Sequence, residues 1–348
     1  MLRGQTLAVE GGYEALITSD TCMYISSFEK MRKRIIEEST ILTFIDTRGT
    51  NAHPDVFDAN AGWVLLNKRF PQYKGAFLKL NQPIAEKQAR YLEALANPNC
   101  GWFYRRNANT FSAIPGSPIA YWAANAIGNA FAQGKSLESV MLFKTGMVTG
   151  NNDRFLRLWW EVETEEGCFD ASCNDEAVAS GKRWFPYNKG GEFRRWYGNN
   201  DYLINFKNEG YDIFSTAKID NRAVTNMRPE LRFKTTVTWS LISSGTPAFR
   251  IKEKGFLYDK AGLSFYPPTM NDAIYALGLC NSTFAIEVLR ILASTLNFQL
   301  GDIWRIPYFI EQPRFDAVSH SVKNCIAISR VDWDAQETSW DFKRHSLL

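Results

Sequence analysis

The spacing of apolar residues changes partway along this 348-residue chain, and that change restricts the folds open to it more than any other feature. Residues 13–18 read as a short strand. Ser26-Ser27-Phe28-Glu29 then offers a capping box, in which Ser26 accepts from a first-turn amide and Glu29 reaches back. Phe28, Met31, Ile35 and Ile36 recur at helical spacing, which predicts an amphipathic helix from 27 to about 39, and 41–45 follows as a buried strand. Apolar runs at 62–66 and 76–80 extend the sheet, and 84–96 reads as a helix closed by Asn97-Pro98. After an irregular stretch at 101–114, Ser117-Pro118 places a cap and a first-turn proline ahead of an Ala-rich helix to about Phe131. Beyond Ser139 the texture turns to short strands with turn signals at 140–143, 158–162, 202–206, 236–240 and 255–259. That region closes with the apolar run 275–279 and a helix capped by Asn281-Ser282 that extends to Leu296. The reading is an α/β unit over 1–100, a strand-rich α+β domain over 101–312, and a polar segment over 313–348 that begins a C-terminal extension.

Several chemistries are excluded on composition and motif grounds. The length suits about two domains, and 45% hydrophobic with 22% charged residues is ordinary globular composition, not that of a disordered or coiled-coil chain. No stretch approaches the roughly 20 apolar residues of a membrane span, and the first residues lack the apolar core of a signal peptide, so no membrane association is expected. Six cysteines without a Cys-x-x-Cys pair indicate neither a disulfide framework nor a zinc ribbon and suit a reducing cytoplasm. There is no Gly-x-Gly, and the stretch from Gly128 to Gly134 reads as a helix end, not a phosphate loop. His53, His320 and His345 are not paired at i, i+4, so no metal site and no Ser-His-Asp system is expected, and no residue is assigned a catalytic role.

The charge pattern is more informative than the net charge of +3. Between Glu161 and Glu176 there are seven acids and no base; between Gly181 and Gly198 there are five bases, one acid and six aromatics. The second segment interleaves Lys182, Arg183, Lys189, Arg194 and Arg195 with Trp184, Tyr187, Asn188 and Trp196 around the diglycine Gly190-Gly191. Polyanion binding calls for that mixture: cations to displace phosphate counterions, planar groups to meet bases, and glycine to let backbone amides approach. The alternative is that the aromatics enter a sheet core and the bases solvate its outer face. A second loop, Thr149-Gly150-Asn151-Asn152-Asp153-Arg154-Phe155, presents Asn152 and Arg154, side chains suited to adenine and guanine edges, and reads equally well as a hairpin turn.

Five motifs, in order, carry a resemblance. They are Gly116-Ser117-Pro118-Ile119-Ala120-Tyr121-Trp122, the Thr149–Phe155 loop just quoted, Trp184-Phe185-Pro186-Tyr187-Asn188-Lys189-Gly190-Gly191, Leu279-Cys280-Asn281-Ser282, and Asp332-Trp333-Asp334 with Glu337-Thr338-Ser339-Trp340-Asp341-Phe342. Together they resemble the PglX family, the adenine-specific DNA methyltransferases of BREX phage-defence systems, which are similar to single-chain restriction-modification methylases. The resemblance implies that 1–100 is the later part of a Rossmann-like methyltransferase sheet and that 101–312 is associated with target recognition on double-stranded DNA. It also implies S-adenosylmethionine as cofactor of the intact enzyme, which extrudes the target adenine and methylates its exocyclic amine.

The family's methyl-donor loop and Asn-Pro-Pro-Tyr motif have no counterpart ahead of the 13–18 strand, because Pro267-Pro268 follows Tyr266 and precedes Thr269. The expectation is therefore an internal piece, inactive and cofactor-free by itself. It would contribute DNA contacts through Lys182, Arg183, Trp184, Tyr187, Asn188, Lys189, Arg194, Arg195, Trp196, Asn152 and Arg154, and would pair with a missing methyltransferase half and other defence proteins. The rival expectation is a non-catalytic interaction module in which the acidic 161–176 run and the basic run close on each other.

Overall fold

The computed structural model describes residues 2–47, 60–81, 83–243, 245–293, 297–310 and 312–345. His53 and the expected helix end at Leu296 lie outside them. The chain divides into two compact units, Met1–Gly134 and Lys135–Leu348. The boundary falls beyond the expected 100 because Phe103–Asn107, in a stretch expected to be irregular, is a strand hydrogen-bonded to the first unit's sheet.

The first unit runs α1 (Leu2–Leu7), β1 (Tyr13–Ser19), α2 (Glu29–Glu38), β2 (Thr40–Asp46), β3 (Asn60–Leu66), β4 (Lys74–Lys79), α3 (Ile84–Ala96), β5 (Phe103–Asn107) and α4 (Asn125–Gln133). Its strands form one mixed sheet in the order β1-β3-β2-β4-β5. Only β2 and β4 run parallel as neighbours; β3 inserts antiparallel between β1 and β2. The strand, helix, strand succession is present, but its two strands are not adjacent. One face buries Ile35, Phe44, Trp63, Phe77, Phe111 and Tyr121, with Phe44 edge-on to Trp63 at 4.6 Å and Phe77 stacked on Tyr121 at 5.4 Å. The other face packs Leu78 and Ile45 with Ala94 of α3.

Two local expectations fail here for one reason each. Ser26 heads a 3₁₀ turn, Ser26–Phe28, and α2 starts after it without a side-chain cap, while Glu29 pairs with Lys33 at 2.7 Å. Ser117-Pro118 does not open a helix. Arg32, buried on α2, donates to the carbonyls of Cys22, Ile25, Gly116 and Ser117 at 2.7–3.1 Å, which holds 116–117 as a loop with Ser117 at φ 48°, and α4 begins only at Asn125. A guanidinium has five donors in a rigid fork and is tolerated in an apolar interior only when those donors are met. As expected, α4 ends at Gly134.

The second unit holds β6 (Lys135–Ser136), β7 (Leu142–Lys144), α5 (Asn152–Phe155), β8 (Leu156–Leu158), α6 (Asn174–Ala179), β9 (Trp184–Asn188), β10 (Tyr202–Asn205), α7 (Lys207–Ile219), β11 (Thr236–Thr238), β12 (Arg250–Lys252), β13 (Leu257–Tyr258) and β14 (Ser264–Tyr266). After these come α8 (Met270–Asn281), α9 (Thr283–Leu292), α10 (Leu300–Ile303), β15 (Pro307–Tyr308) and α11 (Gln312–Asp334). Two four-stranded sheets, β13-β9-β10-β8 and β12-β11-β14-β7, carry the unit. The strand expected at 158–162 is a 3₁₀ turn, Trp159–Glu161, because Glu161 folds back to accept from the Leu158 amide at 2.7 Å. The apolar run 275–279 lies within α8, and Ser282 caps α9 through the Ala285 amide, as its position suggested. Among the described residues no single helix is long and apolar enough to cross a membrane.

Candidate nucleic-acid interface

The basic, aromatic segment divides into a strand and a loop with opposite environments. Its first half is β9, central in its sheet between β13 and β10, and all five of its residues are buried. Tyr187, 1% exposed, donates its hydroxyl to Asp259 Oδ2 at 2.9 Å, and burial, reinforced by that carboxylate, pushes its phenol well above the usual range. Asn188 donates to Thr238 Oγ1 at 2.7 Å, and the Trp184 indole donates to Glu166 Oε2 at 3.2 Å. Trp184, Tyr187 and Asn188 are therefore core residues and do not present surface to a ligand, contrary to expectation. Successive side chains of a strand point to opposite faces, so the burial of all five residues shows that both faces of β9 are covered.

The second half, 189–200, is a loop braced from beneath. Gly190, Gly191, Trp196, Gly198 and Asn199 all have positive φ, and a Cβ on Gly191 would meet Asn199 Nδ2 at 2.7 Å. Lys252, 1% exposed, donates to the carbonyls of Gly198 and Asn199 at 2.8 Å each and to Asn200 Oδ1. Arg250 reaches the Arg194 carbonyl at 3.5 Å, Ser240 donates to the Gly191 carbonyl at 2.7 Å, and Asn199 donates to the Glu192 carbonyl at 2.9 Å. Burial lowers the Lys252 ammonium well below its ordinary pKa and brings the Arg250 guanidinium down to about 10, while the same burial raises the Asp201 carboxyl beside them. With its carbonyls drawn inward, the loop exposes Glu192 and Phe193 and leaves its three cations half-buried. Phe193 is exposed, Arg195 is half-buried over its ring at 5.4 Å, and Lys189 lies over Tyr202 at 4.9 Å. Arg194 pairs with Asp332 at 2.9 Å and covers Trp333, and half-buried Trp196 bridges by its backbone to Phe249 and Ile251.

Asn152 and Arg154 are exposed on α5. The loop before them is not a hairpin: Asn151 caps a single helical turn by accepting from the Arg154 amide at 3.2 Å, and Asn152 Oδ1 takes the Thr149 hydroxyl at 2.6 Å. Strand register decides which candidates share a region. Leu156 pairs with Ile204 and Asn205 with Trp184, so α5 and Lys182-Arg183 sit at one end of the sheet. Tyr187 pairs with Tyr202, which puts 189–200 at the opposite end, about 15 Å away along five strand residues. At the first end part of the acidic run lies alongside the basic one. The Arg183 amide donates to the Glu166 carbonyl at 3.1 Å, the Cys168 amide to the Trp184 carbonyl at 2.9 Å, and the Lys182 ammonium to the Glu165 carbonyl.

Sequence reasoning missed Arg250 and Lys252, which brace the loop. Their alternation around Ile251 reads as an exposed strand face, and nothing in the spacing marks them as interior. Among the described residues no three His, Cys, Asp or Glu side chains come together as metal ligands.

No family model matches the chain. It is similar to the adenine-specific methyltransferase PglX of Lacticaseibacillus casei strain Zhang, 32% identical over all of this chain and 29% of that protein. It is also similar to the adenine-specific methyltransferase BrxX of Escherichia coli O9:H4 strain HS, 31% identical over 99% of this chain and 27% of that one. Its fold resembles that of the type IIL restriction-modification enzyme MmeI, solved in complex with DNA, at 10% identity and TM-score 0.55 over 99% of this chain and 45% of MmeI. The chain is thus a homologue, along its whole length, of the PglX and BrxX adenine-specific methyltransferases, and it spans less than a third of theirs.

Proposed function

We propose that this chain supplies double-stranded DNA contacts to a longer, S-adenosylmethionine-dependent, adenine-specific methyltransferase of a phage-defence or restriction-modification system, and that its second unit makes them. The single observation that carries this reading is the braced 189–200 loop. Two buried cations hold its carbonyls inward, so its half-buried Lys189 and Arg195 are positioned before any ligand arrives. Prepositioned contacts avoid the ordering cost of a floppy basic segment. Arg183 with Arg154 and Asn152 at one end of the sheet, and Lys189 with Arg195 at the other, form two cationic groups whose ~15 Å separation is comparable with the ~12 Å width of the major groove. The first unit is read as the later part of a Rossmann-like methyltransferase sheet, supported by the strand, helix, strand succession and by the homology. S-adenosylmethionine is assigned no residues here: the one glycine-bounded stretch resembling a phosphate loop is α4 and its cap.

The test is duplex binding as a function of salt. Arg183→Ala with Arg195→Ala should weaken binding about tenfold near 0.1 M salt and lower the log K against log salt slope by about 2, because each phosphate contact contributes close to one unit. An unchanged slope rejects the assignment. A second reading, an interaction module, is favoured at one place only, where the Thr164–Glu166 turn of the acidic run lies against Lys182–Trp184. It predicts no chemical-shift change at Trp196 on adding DNA.

A further inference from the structure

Of the three cations in the 189–200 loop, Arg194 alone has an anionic partner among the described residues. Its Nη1 lies 2.9 Å from Oδ2 of Asp332, in the last turn of α11, and its guanidinium covers the Trp333 ring at 4.9 Å. The seat is shaped for it. Trp333 is buried, and a Cβ on Gly198, whose φ is 116°, would collide with Arg194 Cδ and meet Trp333 Cε3 at 3.0 Å. A second tie holds the same part of α11, where Arg330 pairs with Glu253 at 2.7 Å and covers Tyr197 of the loop at 4.6 Å.

The loop and its braces are rich in positive charge: Lys189, Arg194, Arg195, Arg250 and Lys252 stand against Glu192 and Asp201. An anion is favoured there, and α11 supplies one from a distant part of the chain. That carboxylate does little for the fold. Asp259, by contrast, has both oxygens engaged, one by the Tyr187 hydroxyl and the other by the Ala261 amide. The Asp332 side chain is 66% exposed, is bonded through one oxygen, and has no other partner among the described residues. An exposed pair of this kind is weak enough to be exchanged. A guanidinium fork fits a phosphate as well as it fits a carboxylate.

We infer that Asp332 occupies the phosphate position of Arg194, so that α11 acts as a built-in competitor which the DNA backbone must displace before Arg194 can join the interface. This rests on the DNA-binding reading above and adds a regulator to it. Arg194 then trades one anion for another. Its contact releases little net counterion, unlike those of Lys189 and Arg195, which give up no carboxylate. Trp333 stays beneath the guanidinium in both states, which keeps Arg194 aimed while its partner changes.

The experiment is a double-mutant cycle on the full chain, titrated with a duplex of about 20 base pairs across a range of salt. Asp332→Asn should tighten binding about fivefold near 0.1 M salt and steepen the log K against log salt slope by up to about one unit. Asp332→Glu, which keeps the charge, should restore the wild-type slope. In an Arg194→Ala background, Asp332→Asn should change affinity by less than about twofold. An equal gain in both backgrounds reports a general loss of negative charge and overturns the proposal, as does unchanged or weaker binding by Asp332→Asn. Thermal unfolding of Asp332→Asn should stay within about 2 °C of wild type. A fall of several degrees would make Asp332 a structural partner and overturn it as well. Duplex binding by wild type and Asp332→Asn with equal slopes rejects the competition alone, whereas absence of binding by both rejects the DNA reading and the competition with it.

Discussion

The segment from Lys182 to Tyr197 is uniform in composition and divided in fate. In β9 an indole, a phenol and an amide are enclosed, whereas in the loop that follows Phe193 is exposed and Arg194 and Arg195 are half-buried. Strand pairing makes the difference: β9 lies between two partners, while the loop leaves the sheet at Gly190-Gly191 and is tied down through its carbonyls, the Trp196 amide and the Arg194–Asp332 pair. Such composition marks a site only where the backbone releases the side chains. The first unit uses the same bracing device to a different end. There Arg32 draws in the carbonyls of Gly116 and Ser117, and the residues that follow, Ile119 and Tyr121, pack into the core.

Four measurements would break or sharpen this contrast. The largest effect is expected from Tyr187→Ala, which removes a ring and a hydrogen bond from the interior. Chemical denaturation should show a loss of about 4 kcal/mol, while duplex affinity of the folded fraction stays within twofold; a selective loss of affinity would return the strand half to the interface. Lys252→Met should cost about 3 kcal/mol, since two carbonyls and an amide oxygen lose their donor. Hydrogen exchange across 190–199 should accelerate more than elsewhere in the second unit, and uniform acceleration would deny that lysine a specific hold on the loop.

A smaller effect separates two neighbouring arginines. Arg195→Ala should reduce the salt slope of DNA binding by about one unit with little change in stability. Arg194→Ala should cost under about 1 kcal/mol through the exposed pair with Asp332 and should change the slope less, and a reversal of the two would exchange their roles. The smallest effect appears only in alkali. Burial raises the Tyr197 phenol to about 12. Because the folded value lies above the ordinary 10, its contribution is complete below pH 10 and is lost as pH rises from there through about 12. Tyr197→Phe should flatten that part of the stability profile measured by denaturation, and an unchanged alkaline limb would place the titration elsewhere.

Helix α3 and strands β1 to β4 were legible because each carries its period in a run long enough to read, and α9 because Ser282 caps it locally. β9 was hidden by Pro186, which ordinarily argues against a central strand, and by polar residues that only a two-sided sheet would enclose. The Ser117-Pro118 helix start was overruled by a guanidinium 85 positions earlier in the chain.

By itself the sequence determined the mixed α/β character, most element positions in the first unit, the kinship with PglX-type methyltransferases, and the place where charge and aromatic rings accumulate. Those follow from local periodicity and from ordered motifs, both of which survive without knowledge of contacts. Tertiary structure alone decided which of those rings and cations are surface, because burial depends on which strands flank a segment and on which distant cations, Arg32, Arg250 and Lys252, find carbonyls to satisfy them.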